Sequence, residues 1–300
     1  MIRMTATIYK EKHEDITLSG TTGSVRSFVK DWGYVYEISF AQEETFGKKV
    51  RYFDVLSSTT DYNKISVDGE KIIWVGASKT ANTPIETTIR VYFWESFIEL
   101  DRRNMISLEV RETDRGDFSM PNYGIVSNGG SAEFNDKDGS VLQYAERGDL
   151  VEKMPVEIFI KDTIKKTEIV VGTLFTEKWN YDNNIRVVSV SLKDNLEEWQ
   201  DIQVGGIDYD PRSPYKYLPN GSFADIYKWL HKRTPSKYGM VSYNELSEET
   251  KSVLEKTKLG YPFLDSSNLW RQWSKVCTAC ALYIHKNREG KTVCEHRIGG

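Results

Sequence analysis

The sequence predicts a mainly β protein with an α+β C-terminal part. Through residues 1–95, β-type runs recur at roughly ten-residue spacing, which is typical of sandwiches and barrels. Three further β-type runs follow, Val156–Ile160, Glu168–Thr176 and Ile185–Leu192. After them the apolar residues take the spacing of helices. The change of period indicates that strands come first and helices are confined to the C-terminal third.

The predicted organisation has two β-barrel or sandwich domains followed by an α+β domain. The first covers residues 1–95 and the second residues 96–204. Residues 205–300 form the third, which holds a helical insertion at 208–262 and ends in a helix–hairpin unit.

The strands predicted for the first domain are bounded by Gly, Asn, Asp and Ser clusters. They are Thr5–Tyr9, Ser24–Val29, Tyr34–Phe40, Val50–Leu56, Lys64–Val67, Ile72–Gly76 and Thr87–Phe93. The Asp68-Gly69 pair predicts a hairpin with a type I′ turn, because that turn needs positive φ angles.

The second domain opens on the alternating strand Ile106–Glu112, in which Ile106, Leu108 and Val110 face one way. Asp138-Gly139 is interpreted as a hairpin turn between the runs Ser131–Asn135 and Ser140–Ala145. An EF-hand loop is excluded there, because its first and twelfth ligand positions would fall on Phe134 and Ala145.

Around Val187–Val188 the alternation of Ile185–Leu192 shifts by one residue, which predicts a bulge or a strand buried on both faces. Lys193-Asp194-Asn195 then stops the strand and caps a short helical turn, Leu196–Gln200.

Three helices and a hairpin are predicted for the C-terminal part. Ser222 caps the helix Phe223–Arg233, and Asn244 or Ser247 starts a solvent-facing helix, Glu248–Lys258. The remaining elements are the helix Ser267–Cys280 and the strands Ala281–His285 and Lys291–His296 around an Asn287–Gly290 turn.

Composition excludes several function classes. Lys and Arg total 40 against 44 Asp and Glu, a net charge of −4, so nucleic-acid binding has little support. The chain has no run long and apolar enough for a transmembrane helix, and its N-terminus lacks the apolar region of a signal peptide. The three cysteines cannot all pair, which favours folding in a reducing compartment.

One set of residues has the composition of a metal site. Cys277-x-x-Cys280 and Cys294-x-His296 could supply four zinc ligands. However, the two cysteines of the first motif lie on the apolar face of a predicted helix, and free cysteine is a common core residue. The favoured interpretation is that Cys277, Cys280, Cys294 and His296 bind no metal.

No catalytic or cofactor-binding residues are predicted. The carboxylates Glu95, Glu99 and Asp101 could suit a glycosidase only if they faced each other in space, and a solvated strand face is the default. No Ser/His/Asp order and no glycine-rich phosphate loop stand out. The tryptophans could form a sugar platform, although such residues more often lie in cores or interfaces; they are Trp32, Trp74, Trp94 and Trp179.

The stretch Ile106–Gln203 resembles the hub and tail-tip proteins of bacteriophage baseplates. An alternating strand, ISLEVRE, is followed by SAEFNDKDGSVL, by the strands VEIFI and EIVVGTLFTEKWNYDNN, and by RVVSVSLKDNLEEW with its Asp-x-Leu ending. The C-terminal stretch NLWRQWSKVCTACALYIHKNREGKTVCEH resembles that family too. Residues 208–262 depart from the pattern, and residues 1–95 match only in being β.

The resemblance implies a structural virion protein without catalysis. Members form rings, usually trimers, that connect the tail tube to the spike, the fibres and the tape-measure protein. The expected location is the virion tail, with assembly in the cytoplasm of the bacterial host. An acidic lumen would repel DNA, whose only contact with the protein would be passage through the ring.

Two other function classes stay open. One is a β-sandwich module that binds carbohydrate or a receptor on behalf of a virion. The other, ranked lowest, is a polysaccharide-degrading enzyme, which would need two facing carboxylates and tryptophans in a deep cleft.

Overall fold

A computed structural model describes residues 2–21, 27–31, 34–60, 62–78, 82–113, 124–162, 164–204, 222–257 and 267–296. The described chain is mainly β, as predicted, with few helices. It divides into two compact units: unit 1 contains Met1–Tyr9 and Ser96–Gly300, and unit 2 contains Lys10–Glu95. The three-domain division of the sequence stays a prediction. None of the described helices is long and apolar enough to cross a membrane.

The strands lie at the following positions along the chain. They are β1 (Ile2–Thr21), β2 (Ser27–Asp31), β3 (Tyr34–Thr45), β4 (Val50–Ser58), β5 (Tyr62–Asp68), β6 (Lys71–Ser78), β7 (Pro84–Leu100), β8 (Met105–Thr113), β9 (Gly124–Ile125), β10 (Ser127–Asn135), β11 (Pro155–Asp162), β12 (Thr167–Asp182), β13 (Val187–Lys193), β14 (Gln203–Val204), β15 (Ser267–Asn268), β16 (Leu282–Lys286) and β17 (Thr292–His296).

The helices are α1 (Ser140–Glu146), α2 (Phe223–Arg233), α3 (Glu248–Lys256) and α4 (Leu269–Cys280), with 3-10 turns at Leu196–Gln200, Ser236–Tyr238 and Tyr243–Glu245.

Unit 2 contains the four-stranded sheet β2-β3-β6-β5 and the pairing of β4 with β7, which belongs to the eight-stranded sheet. Its core contains the fully buried Leu18, Trp74 and Ile89. The predicted hairpin at Asp68-Gly69 is confirmed, but its loop is Gly69-Glu70, because Asp68 pairs with Lys71. Only Gly69, at φ +61°, has a positive φ in that loop, which is the pattern of a II′ turn and not of the predicted I′ turn.

Unit 1 contains most of an eight-stranded antiparallel sheet with the strand order β4-β7-β1-β11-β12-β13-β10-β8. Alternate residues face one core, since the side-chain period of a strand is two. Core positions on successive strands include Ala6, Ile158, Leu174, Val190 and Ala132, all buried. The opposite face is polar, with Glu133 accepting hydrogen bonds from Ser107 and Ser189 (both 3.4 Å).

The prediction of a strand at Ser140–Ala145 is wrong. These residues form α1, and Asp138-Gly139 leads into a helix instead of a hairpin. The buried carboxylate of Asp136 accepts hydrogen bonds from the amides of Val141 (3.0 Å) and Leu142 (2.9 Å), which occupies two donors of the first turn. A carboxylate preceding the turn thus stabilises the helical conformation at this point.

The prediction of a bulge or a doubly buried strand around Val187–Val188 is also wrong. Ile185 lies in the preceding turn and is 65% exposed, so β13 begins at Val187 and alternates regularly. The irregularity lies in its partner β12, between Thr176 and Lys178. The predicted helical turn Leu196–Gln200 is confirmed, and Asp194 accepts the Leu196 amide at 3.0 Å.

The predicted C-terminal helices and hairpin are confirmed. Ser222 caps α2 by accepting the Asp225 amide, and Ser247 caps α3 by accepting the Thr250 amide. One side of α3 faces solvent as expected, with Glu248 and Glu255 exposed, whereas Leu254 on the other side is fully buried. Helices and hairpin share a core with Leu196 and Trp199 of the preceding 3-10 turn, so that turn anchors them. Parts of the predicted insertion, 208–221 and 258–262, lie outside the described residues.

Candidate functional site

The first candidate site in unit 1 is a cavity of about 800 Å³, called here the basic cavity. Four of its lining side chains are cationic and one is a carboxylate. It is lined by Arg3, Met4, Thr5, Asp101, Arg102, Arg103, Met105 and Lys161. In a chain of net charge −4 this is a local concentration of positive charge.

Strand register and one turn bring the cations together. Arg3 of β1 lies opposite Lys161 of β11, so both side chains leave the same face. The turn between β7 and β8 adds Arg102 and Arg103. Its conformation is held by Asn104, whose side-chain oxygen accepts the backbone amide of Asp101 at 2.9 Å.

Two of these charges are already neutralised. Arg103 donates to Asp101 (Nε to Oδ2, 2.9 Å), and the side-chain hydrogen bond from Arg103 lowers the pKa of Asp101. Lys161 pairs with Glu168 at 3.1 Å. Arg102 is exposed and makes no hydrogen bond or ion pair within the described part of the chain. Arg102 can therefore offer a complete guanidinium fork to a ligand.

The apolar face of the sheet continues to the edge of this cavity. Met4, Ile160 and Ile169 lie side by side on β1, β11 and β12. Met4 is 42% exposed and Ile169 is 56% exposed, although both stand on the core-facing side. An apolar row beside a cationic group suits a protein partner better than a free ion.

The second candidate site is a cavity of about 360 Å³, called here the acidic cavity. Six carboxylates line it against two lysines. The lining residues are Glu152, Lys153, Phe175, Thr176, Glu177, Lys193, Asp194, Asn195, Glu197, Glu198, Gln200 and Asp201. They come from the segment before β11, from the irregular part of β12, and from the end of β13 with its 3-10 turn.

Internal cations balance part of this negative charge. Glu198 accepts hydrogen bonds from Lys237 and Tyr238 (both 2.8 Å) and pairs with Lys153 at 3.0 Å. Burial would raise the pKa of Glu198, but these hydrogen bonds outweigh it and lower the pKa. Lys193 pairs with Glu197. Glu152 is exposed and has no such partner among the described residues.

Asn195 contributes an unused acceptor to the acidic cavity. Its side chain is only 7% exposed, and its Oδ1 has no hydrogen-bond partner in the described structure. A buried polar atom without a partner costs roughly 1–3 kcal/mol, so a ligand donor there would be favoured.

A buried ionisable network lies next to the acidic cavity. The ammonium of Lys286 donates to the carbonyls of Tyr238 (2.6 Å) and Gly290 (3.1 Å). Burial lowers the pKa of Lys286 to about 7, against the opposing effect of Asp194 and Glu198. Burial likewise raises the pKa of Asp194. The bonds of Lys286 tie the β16–β17 hairpin to the 3-10 turn at Tyr238, which is a structural role.

The four zinc candidates do not form a metal-binding group. No cluster of three or more His, Cys, Asp and Glu that could hold a metal occurs among the described residues. Cys277, Cys280 and Cys294 are buried free thiols in the C-terminal core, and burial raises the pKa of Cys277 and Cys280. His296 lies 3.4 Å from Glu249 instead.

The other residues singled out by sequence do not form one site. Glu95 belongs to unit 2, Glu99 is exposed, and Asp101 is bound by Arg103. Trp74 is buried and donates to Asn63 at 2.8 Å.

The remaining tryptophans are placed as follows. Trp179 donates to the Val151 carbonyl at 3.0 Å, and Trp94 lies under the guanidinium of Arg51 at 3.9 Å. Trp32 lies outside the described residues.

Sequence reasoning missed both charged cavities. The adjacent Arg102-Arg103 pair after an apolar strand is a visible local signal for the basic one. The acidic cavity joins residues of three separate segments, and no single stretch carries its signal.

Comparison of the chain with protein-family models, curated proteins and solved structures found no significant match.

Proposed function

We propose that this chain is a structural component of a phage tail tip or baseplate. It acts as a hub-like, ring-forming protein without catalysis, joining the tail tube to the spike, the fibres or the tape-measure protein. The resemblance of residues 106–203 to hub proteins motivates the proposal. One observation of the structure supports it best: a turn joins the first and last strands that the sheet has within unit 1.

That sheet has the connectivity of an incomplete barrel. Within unit 1, β7 and β8 stand at opposite ends of the strand order but are consecutive in the chain. The turn Asp101–Asn104 joins them, so the sheet must bend until its ends approach. The carbonyl of Asn104 accepts the amide of Asn135 of β10 at 2.7 Å, which holds this turn against the neighbouring strand.

The end strand β8 supports self-association. Its only described pairing is with β10, so its other edge carries unpaired backbone groups within the described chain. Leu108 and Val110 stand on the core-facing side, opposite Ala132 and Gly130, yet Val110 is 43% exposed. Ile106, at the register irregularity, is 50% exposed. An open edge with exposed apolar side chains is a liability in a monomer and useful in an assembly.

The proposal is tested by the mass and shape of the purified protein. We expect mass photometry to show a discrete oligomer, with a trimer as the leading expectation, and negative-stain micrographs to show rings. A monomer at every concentration reached would contradict the proposal. A matched variant, Val110→Lys, should weaken the oligomer, whereas Ser107→Lys on the opposite face of β8 should do so less.

The carbohydrate- or receptor-binding alternative has no specific support in the structure. Trp74, Trp94 and Trp179 are occupied by partners, as described above, and do not form an open platform. That alternative stays a prediction from the sequence.

A further inference from the structure

We infer that the basic cavity of one copy of this chain docks on the acidic cavity of a second copy, with the Arg102 guanidinium entering the acidic cavity. The inference rests on the proposed ring-forming function and names the contact that would build the ring. The occupant of each cavity is thus another molecule of the same protein.

Charge complementarity is the first argument. The basic cavity has four lining cations, of which Arg103 and Lys161 have internal carboxylate partners. The acidic cavity has six carboxylates, of which Glu177, Glu197 and Glu198 pair with lysines. Both belong to unit 1, so a single folded unit carries two oppositely charged surfaces. Complementary potentials of this kind steer association and set its register.

The second argument is that each surface has an unused group of the matching type. Arg102 has five N–H donors and no partner among the described residues. Asn195 offers a buried oxygen that lacks a donor, and Glu152 offers an exposed carboxylate without a described partner. A guanidinium can donate to a carboxylate and to an amide oxygen at the same time, because its donors form a planar fork.

The third argument is position. Lys161 of the basic cavity is close to the end of β11, whereas Glu152 and Lys153 of the acidic cavity immediately precede its start at Pro155. At about 3.3 Å per strand residue, the two surfaces are roughly 20 Å apart along this strand.

Because the surfaces are different and lie at opposite ends of one strand, contact between copies is head-to-tail. Such contacts generate a ring when the rotation between subunits closes, and a filament when it does not. Met4, which lines the basic cavity and is 42% exposed, supplies apolar area that ion pairs alone lack.

The test is a charge-reversal cycle measured by mass photometry and sedimentation. Arg102→Glu and Glu152→Arg are each expected to weaken assembly at least about tenfold, because each puts like charges in contact. The double variant Arg102→Glu/Glu152→Arg should assemble within about threefold of wild type, since it restores opposite charges with exchanged sides. Raising the salt concentration should dissociate the wild-type assembly.

Matched controls make the same charge changes elsewhere in unit 1. Lys165→Glu and Glu146→Arg alter exposed residues that line neither cavity, and both should assemble as wild type does. Circular dichroism and melting curves check that every variant is folded.

Restored assembly in the double variant supports the contact. If wild type forms rings and both single reversals do so equally well, this docking contact is overturned while the ring-forming function stands. Single variants that weaken assembly without rescue by the double variant also overturn the pairing of these two surfaces. A wild-type protein that stays monomeric overturns both the contact and the proposed function.

Discussion

At the scale of single residues, the buried ammonium of Lys286 has the clearest consequence for stability. It is held by two backbone carbonyls, and burial lowers its pKa from 10.5 to about 7. Above about pH 7 the folded protein has lost this proton, whereas the unfolded chain keeps it until about pH 10.5. The unfolded state binds more protons in this window, so the contribution of Lys286 to the free energy of unfolding rises with pH.

We predict that Lys286→Met removes this pH dependence. Between pH 7 and 9 the free energy of unfolding of wild type should rise relative to that of the variant, by at most about 1.4 kcal/mol per pH unit. Urea unfolding at several pH values measures the difference in free energy of unfolding between wild type and variant. The contributions of other titrating groups cancel in this difference. The exposed Lys165→Met serves as control and should follow wild type. Parallel curves for wild type and Lys286→Met would show that Lys286 does not titrate in this range.

At the scale of secondary-structure elements, the helix α1 shows how one buried side chain selects a conformation. Asp136 is 1% exposed and accepts the Val141 and Leu142 amides as well as the Tyr181 hydroxyl (3.1 Å). Gly139, at φ +72°, makes the chain reversal before the helix. The helix is short, so its stability depends on these contacts and on the burial of Val141.

We predict that Asp136→Ala destabilises the protein by about 1–3 kcal/mol, because it leaves helix-terminal amides without an acceptor. Urea unfolding measures the loss, and amide exchange of Val141 and Leu142 should become faster. Asp138→Ala is the control in the same turn, since Asp138 is exposed and accepts from the amide and hydroxyl of Ser140. Equal effects of the two substitutions would contradict the role assigned to Asp136.

At the scale of the whole molecule, the described chain has two compact units with separate apolar cores. β1 and β7 each contribute residues to both units. A molecule with two cores need not unfold in one step.

We predict two unfolding transitions that respond to different core substitutions. Ile89→Ala in unit 2 and Ile158→Ala in unit 1 remove the same atoms from fully buried positions. Each should cost about 2–5 kcal/mol and lower mainly the transition of its own unit. Differential scanning calorimetry measures the two unfolding transitions separately, and each variant serves as the control for the other. A single transition lowered equally by both would show that the chain unfolds as one cooperative body.

The sequence by itself determined most strands, the three C-terminal helices and the closing hairpin, because these depend on local periodicity and capping. The alternation of Leu108 and Val110 with Ser107 and Glu109 is a property of the sequence and does not depend on tertiary contacts. Ser222 directly precedes α2 and caps it. Tertiary structure alone decided that Ser140–Glu146 is helical, that the three cysteines pack into the C-terminal core while His296 lies beside Glu249, and that charges distant in sequence line two cavities. The physical reason is the distance along the chain over which each effect acts. The alternation and capping of side chains depend on residues a few positions apart. Strand register and burial bring together residues such as Arg3 and Lys161, which lie far apart in the sequence.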